Sequence, residues 1–369
     1  MKIAILGSRG VPAVYGGFEV CAERLGLGLV ARGHEVSVYC PRNQDYREMD
    51  YKGIKLEYAY HPLSGWGTVV FDALCLADAS RKPFDVVLML GYGASPFCVL
   101  PRLAGKAVII NTDGWEWSRE KWPWFTKRWF KLTETVATRV ANMLVSDSQQ
   151  IQAYYKQRYS LDSEYIPYGG NAAIEAGPDR LSGLGLSRHG YYLAVMRMEP
   201  ENSVEQIVDG FLRSPSKWPL VMVGASTTFF TQHILPKVNG SGNIRYLGSL
   251  DLKTETDRQK LFQLRSNAFA YVHGHTAGGT SPSLLQAMSL GALVCARKNP
   301  STFEVAGDDA FYFDGADDLA ARLSQMETAL PVDLSSRRQR LAAVIEARYH
   351  WDVTTDRYLK LFDRFVHAN

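Results

Sequence analysis

The chain has 369 residues and a formal net charge of +3, too long for a single hydrophobic core and too weakly basic for a dedicated nucleic-acid binder. Its apolar content of 46% is ordinary for a soluble globular protein, and no uninterrupted apolar run approaches the roughly 18 residues needed to span a bilayer. Five cysteines (Cys21, Cys40, Cys75, Cys98 and Cys295), odd in number and without paired spacing, suit free thiols in a reducing cytoplasm better than disulfides or zinc.

The apolar run in the opening MKIAILGSRG is too short for a signal peptide. Lys2–Leu6 instead reads as a buried parallel strand ending at Gly7. The loop GSRGVPAVYGGFE follows, then a helix over residues 18–32 and a second strand over residues 35–39. This strand–loop–helix–strand opening is of the Rossmann type, but the dinucleotide signature is incomplete. The loop lacks the third glycine, and the second strand ends in Tyr39-Cys40-Pro41-Arg42 with no acid for a ribose hydroxyl. NAD binding is therefore disfavoured, although Arg42 leaves a 2′-phosphate, and hence an NADP-dependent oxidoreductase, as an alternative. Gly16-Gly17, directly before the helix, suits close approach of a phosphate or sugar, or forms a glycine-rich connection without a ligand.

Further strands are expected over residues 55–60, 86–90 and 107–111, with a helix over residues 67–79. Asp113, Glu116 and Trp117 follow a strand, at the sheet edge where open parallel sheets bind ligands. Carboxylates there could grip a sugar hydroxyl and the indole could stack on a ring, unless Asp113 only caps a turn. Arg119–Lys131, REKWPWFTKRWFK, carries five basic residues against one acid, interleaved with aromatic rings. Rings at headgroup depth and cations against anionic lipid favour a membrane–water interface. Trp122, Trp124, Lys127, Arg128 and Trp129 are the expected contacts, with domain core as the competing reading. A helix over residues 132–140, a strand over residues 143–146, a helix over residues 151–159 and a strand over residues 164–167 lead to the glycine pair Gly169-Gly170, read as the domain boundary.

Strand–helix alternation then resumes, so a second doubly wound domain is expected. Strands are expected over residues 191–195, 220–223, 244–247, 268–272, 292–296 and 310–313, the second ending at Gly224. Helices are expected over residues 203–212 and 257–265. Arg197 lies just past the first of these strands, where its fork could clamp a phosphate or simply pair with Glu199 or Glu201. The stretch HGHTAGGTSPSLLQAMSLG, residues 273–291, reads as a strand end, a glycine turn at Gly278 and Gly279, and a helix. Thr280 and Ser281 are N-cap types, Pro282 suits the first helical position, and Gly291 stops the helix. Such a helix start presents unpaired N–H groups to a phosphate, or is an ordinary strand–turn–helix unit. His273 and His275 lack a nearby third ligand, so they make a poor metal site. With no Asp-x-Asp pair in the chain, no metal and no cofactor are expected, and positive charge for a bound phosphate group would come from Arg197 and the helix tip. Residues 351–366 read as an amphipathic helix packing across both domains.

Two Rossmann-like halves, glycine loops and a phosphate-type helix in the second half resemble a GT-B glycosyltransferase across essentially the whole length. More narrowly, GSRGVPAVYGGFE, NTDGWEWSREKW, EPEN and GGTSPSLLQAM, taken together, resemble the bacterial rhamnosyltransferases of polysaccharide assembly. The resemblance implies a GT-B fold: α/β, two Rossmann-like doubly wound domains facing a cleft, with a C-terminal helix crossing between them. Residues 1–170 would bind the acceptor, residues 171–350 the nucleotide sugar, and residues 351–369 would form the crossing helix. It further implies transfer of a hexosyl group, L-rhamnose from dTDP-rhamnose, with retention. The acceptor would be a lipid-linked saccharide at the inner face of the cytoplasmic membrane, and no nucleic acid is involved. Arg197 would bind the donor diphosphate, and Asn202 stands where the family has a lysine. The family's glutamate pair falls at Gly278 and Gln286, and an amide oxygen can still accept a ribose hydroxyl. Gly224, His273, Gly279, Thr280, Ser281 and Ser283 complete the expected donor set. Arg9, Gly16, Gly17, Glu19, Asp113 and Glu116 are expected on the acceptor side, with Asp113 and Arg197 as the catalytic candidates. A non-catalytic sugar-nucleotide binder remains an alternative because of Asn202 and Gln286.

Overall fold

Short apolar strands alternating with helices can hide both of their faces only inside a parallel sheet covered on either side, and this chain does so twice. The structure is a computed structural model that describes residues 1–13, 16–62, 66–119, 122–171, 179–276 and 278–366. Val14 and Tyr15 of the first glycine loop, Glu120 and Lys121 of the aromatic–basic segment, and Ala277 of the second glycine turn lie outside the described residues. The chain divides within the Gly169-Gly170 pair. One unit runs from Met1 to Gly169 and takes back the chain from Trp351, and the other spans Gly170–His350.

The first unit contains strands β1 (Lys2–Leu6), β2 (Glu35–Pro41), β3 (Asp50–Tyr51), β4 (Ile54–Ala59), β5 (Val86–Leu90), β6 (Ala107–Asn111), β7 (Met143–Ser146) and β8 (Glu164–Tyr165). Their order is β3-β4-β2-β1-β5-β6-β7-β8, all parallel except the short hairpin partner β3. Helices α1 (Gly17–Ala31), α2 (Gly67–Arg81), α3 (Val99–Leu103), α4 (Trp124–Val140) and α5 (Gln149–Tyr159) cover the sheet. A core of Ala4, Leu6, Phe71, Val87, Met89, Val108, Ile110 and Leu144 fills one face.

The second unit is ordered β11-β10-β9-β12-β13-β14, wholly parallel. Its strands are β9 (Tyr192–Val195), β10 (Leu220–Val223), β11 (Ile244–Tyr246), β12 (Ala270–His273), β13 (Leu293–Arg297) and β14 (Phe311–Phe313). Helices α6 (Val204–Arg213), α7 (Leu235–Asn239), α8 (Glu255–Ser266), α9 (Pro282–Ser289), α10 (Pro300–Ala306), α11 (Ala316–Thr328) and α12 (Pro331–Arg348) accompany them. In both units the strand order reverses once, beside β1 in the first and beside β9 in the second. Such a switch point opens a crevice at the carboxyl ends of the strands.

The terminal helix α13 (Trp351–Val366), expected to lie across both domains, is part of the first unit. Its Thr354 hydroxyl donates to the Pro167 carbonyl at 3.0 Å, and Arg32 of α1 pairs with Asp352 and Asp356 at 3.1 and 2.8 Å. Tyr358 accepts from the amide of the buried Asn111 at 2.8 Å, which ties the helix to the end of β6.

All five cysteines are buried. Burial pushes the Cys40 thiol up to about 11 and raises the others. Because the thiolate is the reactive form, the native protein should titrate as thiol-free with a disulfide reagent at mildly alkaline pH. All five should appear on denaturation, and one fast-reacting thiol in the native state would contradict this burial.

Candidate functional site

The carboxyl end of β1 is built for close backbone approach. Gly7 has φ +85°, and a Cβ there would stand 2.0 Å from the Leu90 carbonyl oxygen at the end of β5. No other residue fits without moving a strand. The following loop is tied down by the first turns of α1: Glu19 accepts from the Arg9 N–H at 3.0 Å and Glu23 accepts from the Ala13 N–H at 2.7 Å. Glu19, expected on the acceptor side, is thus buried and holds the loop on which Arg9 sits. Gly16 is the N-cap of α1 with φ +62° and offers no side chain to cap it, and Gly17 is its first residue.

At the end of β6, Asn111 accepts from the Asp113 N–H at 3.0 Å while its amide holds Tyr358. This holds Asp113 in the left-handed region, φ +50°, a conformation that aspartate tolerates better than most residues. The Glu116 N–H donates to the Tyr92 hydroxyl at 2.9 Å. Arg119 then faces both acids, 2.5 Å from Glu116 and 3.9 Å from Asp113. The two expected carboxylates are brought together around one guanidinium. Trp117, considered as a stacking face, is instead held by buried Glu134, which accepts its indole N–H at 2.7 Å, and Lys131 sits 4.9 Å over its ring. Glu134 also accepts from Tyr154 and Tyr159 at 2.7 Å each, so it anchors the turn carrying Glu116 to α4 and α5.

In the second unit the switch point lies between β9 and β12. Arg197, two residues past β9, is half-exposed, and its guanidinium stands 4.0 Å from Glu199 and 3.8 Å from Glu201. Both expected alternatives, a clamp and a surface ion pair, are therefore geometrically open to it. Asn202 does not project a free amide in place of the family's lysine. Its Nδ2 donates to the Arg197 carbonyl at 2.8 Å and its Oδ1 is 3.0 Å from His275 Nδ1. It joins the Arg197 loop to the glycine turn. Gly274 makes that joint possible, because a Cβ there would meet the Asn202 carbonyl at 2.0 Å.

The glycine turn is braced from its other side by residues that sequence reading did not single out. Asn299 donates to the His275 carbonyl at 2.7 Å and Ser301 to the Gly278 carbonyl at 3.1 Å. Gly278 has φ +109°. Thr280 is buried, and Gly279 leads to the N-cap Ser281, whose own side chain makes no capping bond to the first-turn amides of α9. Those amides carry the partial positive charge of the helix end.

Ser283, expected to touch the donor, lies beneath that tip. It is 2.6 Å from the Tyr271 hydroxyl, donates to the Val195 carbonyl at 3.2 Å, and accepts from Arg265 at 3.3 Å. Arg265 was not anticipated. Its Nε is buried with no hydrogen-bond partner among the described residues, and burial draws its guanidinium down. The ring of His273 is buried and packs 6.0 Å from His275. Burial first, then the neighbouring His275, pushes it down to about 3. It is a neutral imidazole across the physiological range. Gln286 is half-buried on α9 and makes no side-chain hydrogen bond among the described residues. Gly224 packs so that a Cβ would meet the Met196 carbonyl at 1.7 Å, which accounts for the glycine by strand contact alone. Two surface hollows of about 380 and 290 Å³, beside Phe311 and Phe269, lie at the opposite, amino-terminal edge of this sheet.

Of the expected membrane residues, Trp124 and Arg128 are exposed on α4, with the guanidinium 5.6 Å over the Trp124 ring, and Lys127 is half-exposed. Trp129 turns inward and donates to the Gly93 carbonyl at 3.0 Å, and Trp122 packs 5.8 Å from Phe130.

Comparison with known proteins adds three findings. Residues 1–171 match a family model described as a domain of unknown function (DUF1972). No curated protein matches the chain. Among solved structures, a sucrose-phosphate synthase from Thermosynechococcus elongatus superposes with a TM-score of 0.81 at 14% identity, covering 100% of both chains. HepE of Anabaena, in complex with UDP and glucose, gives 0.78 at 16% identity over 99% of this chain and 100% of its own. A glycosyltransferase from Rickettsia africae gives 0.75 at 13% identity over 100% of this chain and 99% of its own. At these identities the likeness is one of fold: the chain has the GT-B fold, two Rossmann-like domains in succession.

Proposed function

We propose that this protein is a glycosyltransferase that draws a hexosyl group from a nucleotide sugar. The observation that carries the reading is the second switch point, where Arg197 and the N-terminal tip of α9 follow adjacent strands β9 and β12. Ser283 contacts Val195, two residues before Arg197, so both features hang from one hydrogen-bonded knot. A guanidinium beside a helix N-terminus whose Ser283 and Leu284 amides lie in the first turn is a diphosphate cradle. Arg265, behind Ser283, adds positive potential from below. The GT-B fold, and structures such as HepE in complex with UDP-glucose, agree with this choice of donor.

In the reaction we propose, an acceptor hydroxyl attacks the anomeric carbon as its bond to the diphosphate oxygen breaks. The departing phosphate oxygen takes the hydroxyl proton, so configuration is retained and the protein's task is to stabilise charge. Gln286 would accept from the ribose, and Asp113 with Glu116 would orient the incoming sugar. By resemblance the donor is dTDP-rhamnose and the acceptor a lipid-linked saccharide at the inner face of the cytoplasmic membrane, and no divalent metal takes part. The test is to mix purified protein with dTDP-rhamnose, UDP-glucose and a GDP-hexose and to measure nucleoside diphosphate release with and without chelator. Chelator-resistant release from dTDP-rhamnose is expected. Binding without release would favour the non-catalytic alternative, and release from another donor would correct the sugar.

A further inference from the structure

Helices α2, α3 and α4 cover one stretch of the first unit's sheet with apolar side chains facing outward. Trp66, directly before α2, with Val70 and Leu74 repeats every fourth residue as an exposed stripe. On α3, Val99, Leu100 and Leu103 are exposed, the last at 81%. On α4, Trp124 is 70% exposed and is followed by Phe125 and, two turns on, Leu132. The helices adjoin: α3 packs on α2, the turn Ser95–Cys98 packs on α4, and the Trp66 ring meets that of Trp129 at 5.4 Å. The hydroxyl of Ser95 donates to the Thr133 carbonyl at 2.5 Å and fixes that junction. Isolated exposed leucines need no explanation, but three adjoining helices that each carry several exposed apolar side chains do.

The charge on the face names its partner. Helices α2, α3 and α4 contain three carboxylates: Asp72 and Glu134 are buried, and Asp78, near the end of α2, is paired with Lys82 at 2.7 Å. Arg102, Arg128, Lys131 and Arg139 are exposed on the same helices. Cations around an apolar face whose one part-exposed acid is already paired repel most soluble proteins' basic regions and attract anionic lipid. Indole rings with Arg and Lys beside them suit the headgroup layer. Among the described residues no helix is long and apolar enough to cross a membrane, which fits a surface that rests on one.

We infer that the α2–α3–α4 face docks the protein on an anionic bilayer, with Leu74, Leu103 and Trp124 entering the interface and Arg102, Arg128 and Lys131 meeting lipid phosphates. The inference rests on the lipid-linked acceptor proposed above and moves the contact surface beyond the aromatic–basic segment onto two preceding helices. It is tested by co-sedimentation with vesicles of phosphatidylcholine alone or mixed with phosphatidylglycerol. Wild type should bind only the anionic vesicles, less so as salt rises. The double variant Leu74→Glu/Leu103→Glu should lose about tenfold or more in partitioning, given the area each leucine would bury. Arg102→Ala/Arg128→Ala should lose mainly the dependence on anionic lipid. Melting temperature and donor turnover in detergent-free buffer should stay unchanged in both. Wild type that ignores anionic vesicles, or a Leu74→Glu/Leu103→Glu variant that binds as wild type does, would overturn the inference. So would a wild-type dimer that the leucine variant dissolves, because the face would then join two copies. Vesicle binding and donor turnover are read separately, so loss of one leaves the other standing.

Discussion

Replacing Arg197 with alanine should lower kcat/KM for the donor about a hundredfold while leaving the fold intact, the order seen when one preorganised charge-stabilising donor is removed. The reason for expecting a selective loss lies in how the residue is held. Its guanidinium is half-exposed, and the distances to Glu199 and Glu201 are 4.0 and 3.8 Å, so those pairs contribute little to stability. The loop depends instead on the Arg197 carbonyl, which accepts from Asn202 at 2.8 Å and survives any side-chain change. Lysine should restore only part of the rate, since a point charge cannot span two phosphate oxygens as a planar fork does. Nucleoside diphosphate release, with melting temperature as the control, reads both. Undiminished turnover in the alanine variant would place the diphosphate grip elsewhere, with Arg265 and the α9 amides as the remaining positive groups.

The sheets were legible because buried parallel strands are continuous apolar runs ended by glycine. Lys2–Leu6, Val86–Leu90, Ala107–Asn111, Met143–Ser146 and Leu220–Val223 match their expected bounds, and the other expected strands fall within two residues, while the two-residue hairpin strand β3 was not expected. The strand–turn–helix built around Gly278, Gly279 and Pro282 was equally visible, since its cap and stop residues are local signals. Helix α3 was not: five residues containing Pro101 show no period. Nor were α7, α10, α11 and α12, where charged or short segments dilute the apolar stripe. Side-chain roles failed where partners are distant in sequence. Asn202 reads locally as a lysine lost, and only contact with His275, 73 residues on, shows it joining two loops. Trp129 reads as an interfacial ring until Gly93, 36 residues earlier, takes its N–H. Arg265 carries no motif at all, and its place under Ser283 comes from α8 and α9 packing together.

Asp72→Asn should stabilise the protein in alkaline solution and do nothing, or slight harm, in acid. Asp72 sits on the inner side of α2 among Phe71, Cys75 and Leu76, and its Oδ1 is buried with no hydrogen-bond partner among the described residues. Burial pushes its carboxyl from 3.8 up to about 8. A folded-state value above the unfolded one means that the folded protein holds a proton which the unfolded chain releases. The stability from this group is then complete below about pH 4 and is lost as pH rises through about 8. At and beyond that point the ionised form costs several kcal/mol, on the order of 4–6. An amide cannot ionise, although it still costs about 1–3 kcal/mol to bury without partners. The melting temperature of Asp72→Asn minus that of wild type should therefore start at or below zero near pH 4 and climb to about 5–15 °C by pH 8 to 9. His273 acts with the opposite sign, since its depressed value removes stability as pH falls from 6.5 towards 3, but it is common to both proteins and cancels in the difference. A difference that stays flat with pH would mean that Asp72 is already ionised and paired in the native state, and the inner side of α2 would have to contain a cation or water that satisfies it.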